Sequence, residues 1–226
     1  IFFWVSRMIM LGLYVTGKVP FKTVYLHGLV LDGKAQKMSK SKGNVIDPLT
    51  YTAKFGTDAF RMGLIVGNTP GTSLALSEDK IRAYKLFANK LWNVARYILE
   101  RVPGDWSKYE SLSIGEITGS EGFGGPMRTP AEHVTQHLKS YRFGEAAHVI
   151  YDYMWHQIAD KYIEMSKDKE TPDEEEIKQN LVLYLINLLK LLHPFMPFVT
   201  EEIWSKLPLE NKKLLIVEDW PVTEHA

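Results

Sequence analysis

The strongest constraint on the fold of this chain is a change in the spacing of its apolar residues. From Ser77 onward, apolar side chains recur every three or four residues, which is the spacing of amphipathic α-helices. This pattern predicts helices over about 78–102, 131–139, 143–165, 172–193 and 197–207, and a short strand over 214–217. We therefore expect an antiparallel helical bundle in this part of the chain.

The first third of the chain has the pattern of a single α/β unit. Nearly continuous apolar residues over 2–14 predict a mostly buried helix, and β-branched and aromatic residues predict a short strand over 23–27, which residues 29–31 continue or follow. Residues 51–66 predict another helix. The expected fold class is mainly α, with a partial α/β segment followed by an antiparallel helical bundle.

Breaks in these patterns predict two domains. A loop-forming stretch over 67–72 places the boundary between residues 1–70 and residues 71–226. Residues 103–131 are rich in Gly, Ser and Pro, which predicts a long flexible insertion in the second domain.

Composition excludes several kinds of protein. The sequence contains no cysteine, so disulfides and thiolate-bound metals are excluded. No apolar run reaches the ~20 residues that a membrane span needs. His133 and His137 are four residues apart but have no third ligand nearby, so we predict no metal site.

Charge is distributed unevenly along the chain. Residues 1–66 carry a net charge of +6 and the remaining residues −6, although the whole chain is formally neutral. Residues 33–46 contain four lysines and no carboxylate. Such a loop can bind a polyanion, for example the phosphates of a nucleotide or a nucleic acid. A lysine cluster by itself is more often a solvated surface loop.

The residues between these lysines favour phosphate binding. Residues 37–44 read KMSKSKGN, and we refer to them as the lysine loop. Ammonium groups and serine hydroxyls on a short loop can surround a triphosphate and stabilise the charge that builds up as one phosphate is displaced. The glycines do not have the spacing of a Walker loop.

Five residues of this loop, 37–41, are identical with the KMSKS signature of class I aminoacyl-tRNA synthetases. The surrounding blocks resemble valyl-tRNA synthetases and keep the order of that family. The blocks are residues 3–8, 24–30, 36–48, 56–61, 89–93 and 192–204.

The resemblance implies a role for each part of the chain. Residues 1–70 would be the C-terminal part of a Rossmann-type catalytic domain, with the lysine loop and a stem-contact junction, and residues 71–226 a helical anticodon-binding domain. It implies that Lys40 is a catalytic residue that contacts the ATP phosphates, with Lys37 in a supporting catalytic role. Three further residues would bind ATP. They are Ser41 beside the phosphates, and His27 and Gly28 near the adenosine.

The resemblance also implies partners. They are tRNA(Val), ATP with Mg²⁺, and valine, in a cytoplasmic enzyme with no membrane partner. Basic and aromatic side chains of the first bundle helix are candidates for the RNA-binding face, although for Trp92 we favour a position in the core. These candidates are Arg82, Lys85, Lys90, Trp92 and Arg96.

One departure from the family pattern limits what the chain is expected to do. The second class I signature, His-x-Gly-His, is absent from the sequence. We therefore expect a C-terminal piece of the enzyme that does not aminoacylate by itself. Valine-dependent pyrophosphate exchange by this chain alone would contradict that expectation. Two alternatives stay open: a module that only binds RNA, and the equivalent piece of an isoleucyl- or leucyl-tRNA synthetase.

Overall fold

A computed structural model of the chain describes residues 3–110, 128–167, 174–210 and 212–221. Its α-helices are α1 Trp4–Thr16, α2 Pro48–Phe55, α3 Thr57–Ile65, α4 Glu78–Arg101, α5 Ser107–Glu110, α6 Arg128–Lys139, α7 Phe143–Asp152, α8 Ile163–Met165, α9 Glu174–Leu192 and α10 Pro197–Lys206. Two strands, β1 Val30–Leu31 and β2 Leu74–Ala75, pair in parallel. The predicted fold class, mainly α with a small α/β segment, is confirmed.

The strands predicted over 23–27 and 214–217 are not observed. Residues 23–27 have no strand conformation, and Leu215–Val217 forms a single turn of 3₁₀-helix. β-Branched residues favour a strand only where a neighbouring strand supplies hydrogen bonds. In the described part of the chain, β2 offers such an edge to β1 alone.

The strand pair depends on a close approach at Gly28. A Cβ atom at this position would lie 1.5 Å from the carbonyl oxygen of Thr72. Leu74 and Leu76 then donate backbone hydrogen bonds to Leu29 and Leu31, at 2.9 and 3.0 Å. Only glycine allows the two segments to lie this close together.

Helix α1 is confirmed, but the burial predicted for it is not observed. None of its side chains is buried, and Trp4 and Tyr14 are exposed. Apolar composition makes a helix able to be buried, but burial also requires another element that covers it. No described helix is long and apolar enough to cross a membrane.

The helix predicted over 51–66 is divided into α2 and α3. Asp47 caps α2 by accepting a hydrogen bond from the amide of Leu49 at 3.1 Å, and Pro48 occupies the first helical position. Gly56 has a φ of +93°, which turns the chain between the two helices.

Most of the bundle helices are confirmed, with one local departure. Residues 143–165, predicted as one helix, form α7, a π-helical segment Tyr153–Tyr162, and α8. In the predicted insertion, α5 follows Trp106, whose fully buried indole donates to the carbonyl of Val102 at 2.8 Å. Residues 111–127 of that insertion, and the predicted start of a helix at 171–173, lie outside the described residues.

The first part of the chain and the bundle share one apolar core. Phe55 of α2 and Met62 of α3 belong to the same buried cluster as Phe87 of α4 and Leu188 of α9. The domain boundary after residue 70 stays a prediction.

A pair of charged side chains on α3 joins that helix to the corner between α9 and α10. The Asp58 carboxylate accepts hydrogen bonds from the amides of Phe198 and Val199, at 3.2 and 2.6 Å. Arg61 donates to the carbonyls of Pro194 and Phe195, at 2.8 and 3.2 Å. We call Asp58, Arg61 and these four backbone groups the polar clamp.

His193 stabilises the same corner from inside. Its Nδ1 lies 2.8 Å from the hydroxyl of Thr200, which donates its own proton to the carbonyl of Met196 at 2.8 Å. Nδ1 therefore carries the proton and donates to Thr200. Burial lowers the pKa of His193, and the neighbouring Glu201 and Asp58 carboxylates only partly oppose this shift.

We predict that acidification destabilises the chain through His193. Its pKa is lower in the folded state, so its contribution to stability is complete above the unfolded value of 6.5 and is lost as pH falls from there towards the folded value. The loss from this residue has a ceiling of about 1.4 kcal/mol per pH unit. The free energy of unfolding by urea, measured at several values between about pH 7.5 and about pH 5.5, checks this.

His193→Asn keeps a donor for Thr200 but does not titrate, so the variant should show a shallower dependence on pH. His133→Asn, at an exposed histidine, is the matched control and should keep the original slope. Equal slopes for His193→Asn and the unchanged chain would assign the effect to other groups.

Candidate nucleotide-binding loop and RNA-binding groove

The lysine loop leaves the sheet through a turn that Asp32 organises. The Asp32 carboxylate accepts hydrogen bonds from the amides of Lys34 and Gln36, at 3.0 and 2.8 Å. The chain then turns back towards β1, where the backbone of Lys37 forms an isolated antiparallel β-bridge with Leu31. These hydrogen bonds hold the pKa of Asp32 below its ordinary value, the Gln36 amide having the largest effect.

Asn44, the last residue of the loop, closes it by binding residues near its start and Asp32 before it. Its side-chain oxygen accepts from the amide of Ser39 at 2.9 Å, and its side-chain nitrogen donates to Asp32 at 2.8 Å and to the carbonyl of Lys37 at 3.3 Å. Asn44 belongs to the sequence motif, but the motif alone indicates no role for it. The structure makes it the residue that holds the shape of the loop.

The predicted phosphate-binding side chains lie together on the outside of this loop. Lys40–Lys42 forms a 3₁₀ turn that Gly43 ends with a φ of +66°. Lys37, Lys40 and Lys42 are exposed, and none of them pairs with a carboxylate among the described residues. The hydroxyls of Ser39 and Ser41 lie 3.2 Å apart. Three free ammonium groups beside two hydroxyls can bind a polyanion.

His27 and Gly28 precede β1. His27 is exposed, and its Nδ1 lies 2.9 Å from the carbonyl oxygen of Gly28. Gly28 has a packing role against Thr72, as described above, which sequence reasoning did not predict. Their contact with a nucleotide stays a prediction.

A cleft of about 560 Å³ lies between the lysine loop and the start of α4. On the α4 side, the Glu78 carboxylate pairs with Lys54 at 2.6 Å and accepts from the Tyr51 hydroxyl at 3.4 Å. Its pKa is lowered, chiefly by the hydrogen bond from Lys54. Both walls of the cleft are therefore held by bonds from neighbouring side chains.

The expectation that Trp92 lies in the core is wrong. Trp92 is 38% exposed and lies one position along α4 from the buried Leu91. Its ring forms one wall of an apolar groove of about 110 Å³ between α4 and α10. The groove is lined by Trp92, Ala95, Arg96, Leu99, Ile203 and Lys206.

This groove combines an aromatic wall with two cations. Lys206 Nζ lies 5.9 Å from the centre of the Trp92 ring and 2.8 Å from the Glu202 carboxylate. Arg96 follows Trp92 by one helical turn, and its Nε lies 3.9 Å from the Glu100 carboxylate. Aromatic rings beside cations are suited to stacking bases of single-stranded RNA. Ile203 and Lys206 were not predicted as part of this site, because they are more than 100 positions from Trp92 and only tertiary packing brings them to it.

The other basic candidates on α4 do not all share this face. Lys90, two residues before Trp92, points to the opposite side of the helix, where it lies 5.5 Å from the Trp155 ring and 3.6 Å from Asp160. Lys85 donates to the carbonyl of Lys54 at 3.2 Å. Arg82 is exposed and only 3.7 Å from Asp79. The structure thus brings Trp92 and Arg96 together and separates Lys90 from them.

Among the described residues, no group of three or more His, Asp or Glu side chains is placed to hold a metal ion. His133 and His137 both lie on α6.

Two family models match the chain. Residues 1–77 match the model described as "tRNA synthetases class I (I, L, M and V)", and residues 129–226 match "Anticodon-binding domain of tRNA ligase". The two matches correspond to the lysine-loop part and to most of the bundle.

Curated relatives are similar over nearly the whole chain. The valine–tRNA ligase of Pelagibacter ubique is 42% identical over 99% of this chain and 26% of its own length. The valine–tRNA ligases of Syntrophotalea carbinolica and Geobacillus stearothermophilus are 45% and 43% identical over 96% and 98% of the chain, and 25% and 26% of their own lengths. The chain thus spans about a quarter of the length of the curated relatives it matches.

Solved structures share the fold. LeuRS of Agrobacterium radiobacter K84, in a ternary complex with tRNA and LeuAMS, has a TM-score of 0.70 at 22% identity and covers 97% of this chain and 26% of its own. Mycobacterium tuberculosis methionyl-tRNA synthetase bound by methionyl-adenylate has a TM-score of 0.56 at 22% identity. The match covers 79% of this chain and 37% of the chain of that synthetase. At these identities the likeness shows the fold alone.

We predict that Asn44→Ala loosens the lysine loop. The substitution removes the acceptor of the Ser39 amide and the donor to Asp32, each worth about 1 kcal/mol. Hydrogen exchange of the Ser39 amide should become roughly fivefold faster or more. Asn89→Ala, at an exposed position on α4, is the control and should leave the loop unchanged. An unaltered exchange rate in Asn44→Ala would contradict the bracing role.

Proposed function

The chain belongs to the valine–tRNA ligase family of class I tRNA synthetases, and we propose that it serves valine activation by ATP and recognition of the tRNA. Residues 1–70 would bind the nucleotide through the lysine loop, and residues 71–226 would bind the anticodon arm of tRNA(Val). Because it would act in translation, we propose the cytoplasm as its site of action. The observation that carries the proposal is the braced loop with three exposed lysines that pair with no carboxylate in the part of the chain that the structure describes.

In the proposed reaction, a carboxylate oxygen of valine attacks the α-phosphorus of ATP. The bond to the bridging oxygen of the leaving group breaks, which gives valyl-adenylate and pyrophosphate. Lys40 and Lys37 would contact the leaving phosphates and stabilise the negative charge that builds up on them. Ser41 would donate a hydrogen bond to a phosphate oxygen. His27 and Gly28 would lie beside the adenosine.

Mg²⁺ would enter as the counter-ion of the ATP phosphates. It commonly keeps several waters and is bound largely through the substrate phosphates. This chain would add the ammonium groups of the lysine loop on the remaining phosphate oxygens.

Recognition of the tRNA would use the groove between α4 and α10. An unpaired base would stack on Trp92, and Arg96 and Lys206 would contact the phosphates on either side. Identity of 42–45% to valine–tRNA ligases supports the valine enzyme over its isoleucyl and leucyl relatives. The alternative of a module that only binds RNA would have the groove but no affinity for ATP.

We predict that Trp92→Ala weakens binding of valine tRNA. Base stacking on an aromatic side chain contributes about 1–3 kcal/mol, so the dissociation constant should rise roughly 5- to 150-fold. Titrations of valine tRNA and of an anticodon-swapped version, at two salt concentrations, measure this. Trp4→Ala, which removes an exposed tryptophan on α1, is the matched control and should have no effect.

Preference for the native anticodon would support the proposed recognition. Equal and strongly salt-dependent affinities for the two RNAs would contradict it, because they would report contact with phosphates alone.

We also predict that Lys40→Gln weakens binding of ATP. Loss of one charge-assisted contact to a phosphate should raise the dissociation constant about tenfold or more, measured by calorimetry with ATP and with tripolyphosphate. Lys18→Gln, at an exposed lysine outside the loop, is the control. Equal weakening by both substitutions would indicate general charge attraction, and no binding by the unchanged chain would favour the RNA-only alternative.

A further inference from the structure

Helix α10 contacts both the candidate RNA groove and the polar clamp. Near its N-terminus, the amides of Phe198 and Val199 bind Asp58. Towards its C-terminus, Ile203 and Lys206 line the groove opposite Trp92. The helix has ten residues and is about 15 Å long. A ligand in the groove and the side chains of α3 therefore contact the same short, stiff element.

Helix α3 follows the lysine loop closely along the chain. Ile46 follows the loop, and its amide lies 3.3 Å from the sulfur of Met38 within the loop. Asp47 then caps α2, and Gly56 alone separates α2 from α3. Between the lysine loop and Asp58, only residues 45–47 and Gly56 lie outside helices.

The polar clamp contributes what the surrounding apolar contacts lack. Apolar packing between α3 and its neighbours is non-directional, so it resists separation more than sliding or rotation. The four hydrogen bonds of Asp58 and Arg61 are directional and fix α10 and the preceding corner relative to α3.

The burial of Asp58 also argues for a positional role. The residue is 7% exposed, and burial raises the pKa of its carboxyl although the amides of Val199 and Phe198 favour the charged form. At neutral pH the ionised carboxylate therefore costs folding free energy relative to its protonated form. Despite that cost, the carboxylate supplies both acceptors for the two amides at the start of α10.

We infer that Asp58 and Arg61 are positioning residues that fix the lysine loop relative to the RNA groove, so that RNA bound in the groove slows hydrogen exchange in the loop. The effect of bound RNA on the loop rests on the proposed function. The fixed placement of the loop concerns the free chain and can be tested without RNA.

The absence of cysteine makes the placement directly measurable. Val45→Cys, beside the loop, and Gln157→Cys, in the bundle, introduce two exposed labelling sites. Electron–electron double resonance between spin labels at these sites gives the distribution of loop-to-bundle distances. We expect one narrow distribution in the otherwise unchanged chain.

Two variants test the clamp in this labelled chain. Asp58→Asn removes the charge that binds α10, and Arg61→Gln removes the bonds to the corner but leaves the Asp58 bonds in place, which keeps the test valid if the first variant unfolds. Each should at least double the width of the distribution while circular dichroism reports an unchanged helix content. Asp79→Asn, the same charge change at an exposed position on α4, is the matched control. Unchanged widths in folded clamp variants would overturn the inference.

Hydrogen exchange with and without valine tRNA tests whether bound RNA affects the lysine loop. In the unchanged chain, bound RNA should slow exchange of the Ser39 amide at least threefold. The clamp variants should bind RNA within about twofold of the original affinity but lose this effect. Equal protection in the variants, or RNA binding with no change at Ser39 in the unchanged chain, would overturn the coupling. If no RNA binds, the proposed function fails, and the distance measurement alone decides the role of Asp58 and Arg61.

Discussion

The N-terminus of α10 is the point on which the arrangement of the two parts of the chain depends. The first amides of a helix have no partner within it, and here two of them face α3. The Asp58 carboxylate binds them, and Arg61 binds carbonyls that follow the end of α9. Each charge thus meets the helix end of opposite polarity. Because these bonds join residues more than 130 positions apart, they select one packing of α3 on the corner.

The lysine loop satisfies its backbone by the same means and leaves its charges free. The Asp32 side chain binds two amides of the turn before the loop, and the Asn44 side chain binds an amide and a carbonyl of the loop itself. The lysines are then needed for none of these bonds and extend into solvent. A loop with this division of roles is held in shape before an anion arrives, so little ordering remains to be done on binding. The clamp, α2 and α3 carry that rigidity from the loop to the bundle.

The accuracy of the sequence-based predictions followed the distance along the chain over which each feature is determined. The periodic apolar residues of α4, α7 and α9 predicted helices correctly, because a helix bonds within itself. The strand expected over 23–27 is not observed, since a strand needs a partner and, within the described ranges, the one strand pair is β1 with β2. Gly56 and Gly28 were not recognised as a break and a close approach, because their effects depend on the direction of the next segment.

The same distinction separates the two candidate sites. The residues of the lysine loop lie within eight consecutive positions, so the sequence by itself determined their chemistry, and it determined the helical character of the bundle. Trp92 was misplaced because helical period alone does not define which neighbour covers each side of a helix. Its groove needs Ile203 and Lys206 from α10, and the clamp needs α3 beside the α9–α10 corner. Only the tertiary structure decided these, because they are contacts between segments whose meeting depends on the packing of the whole core.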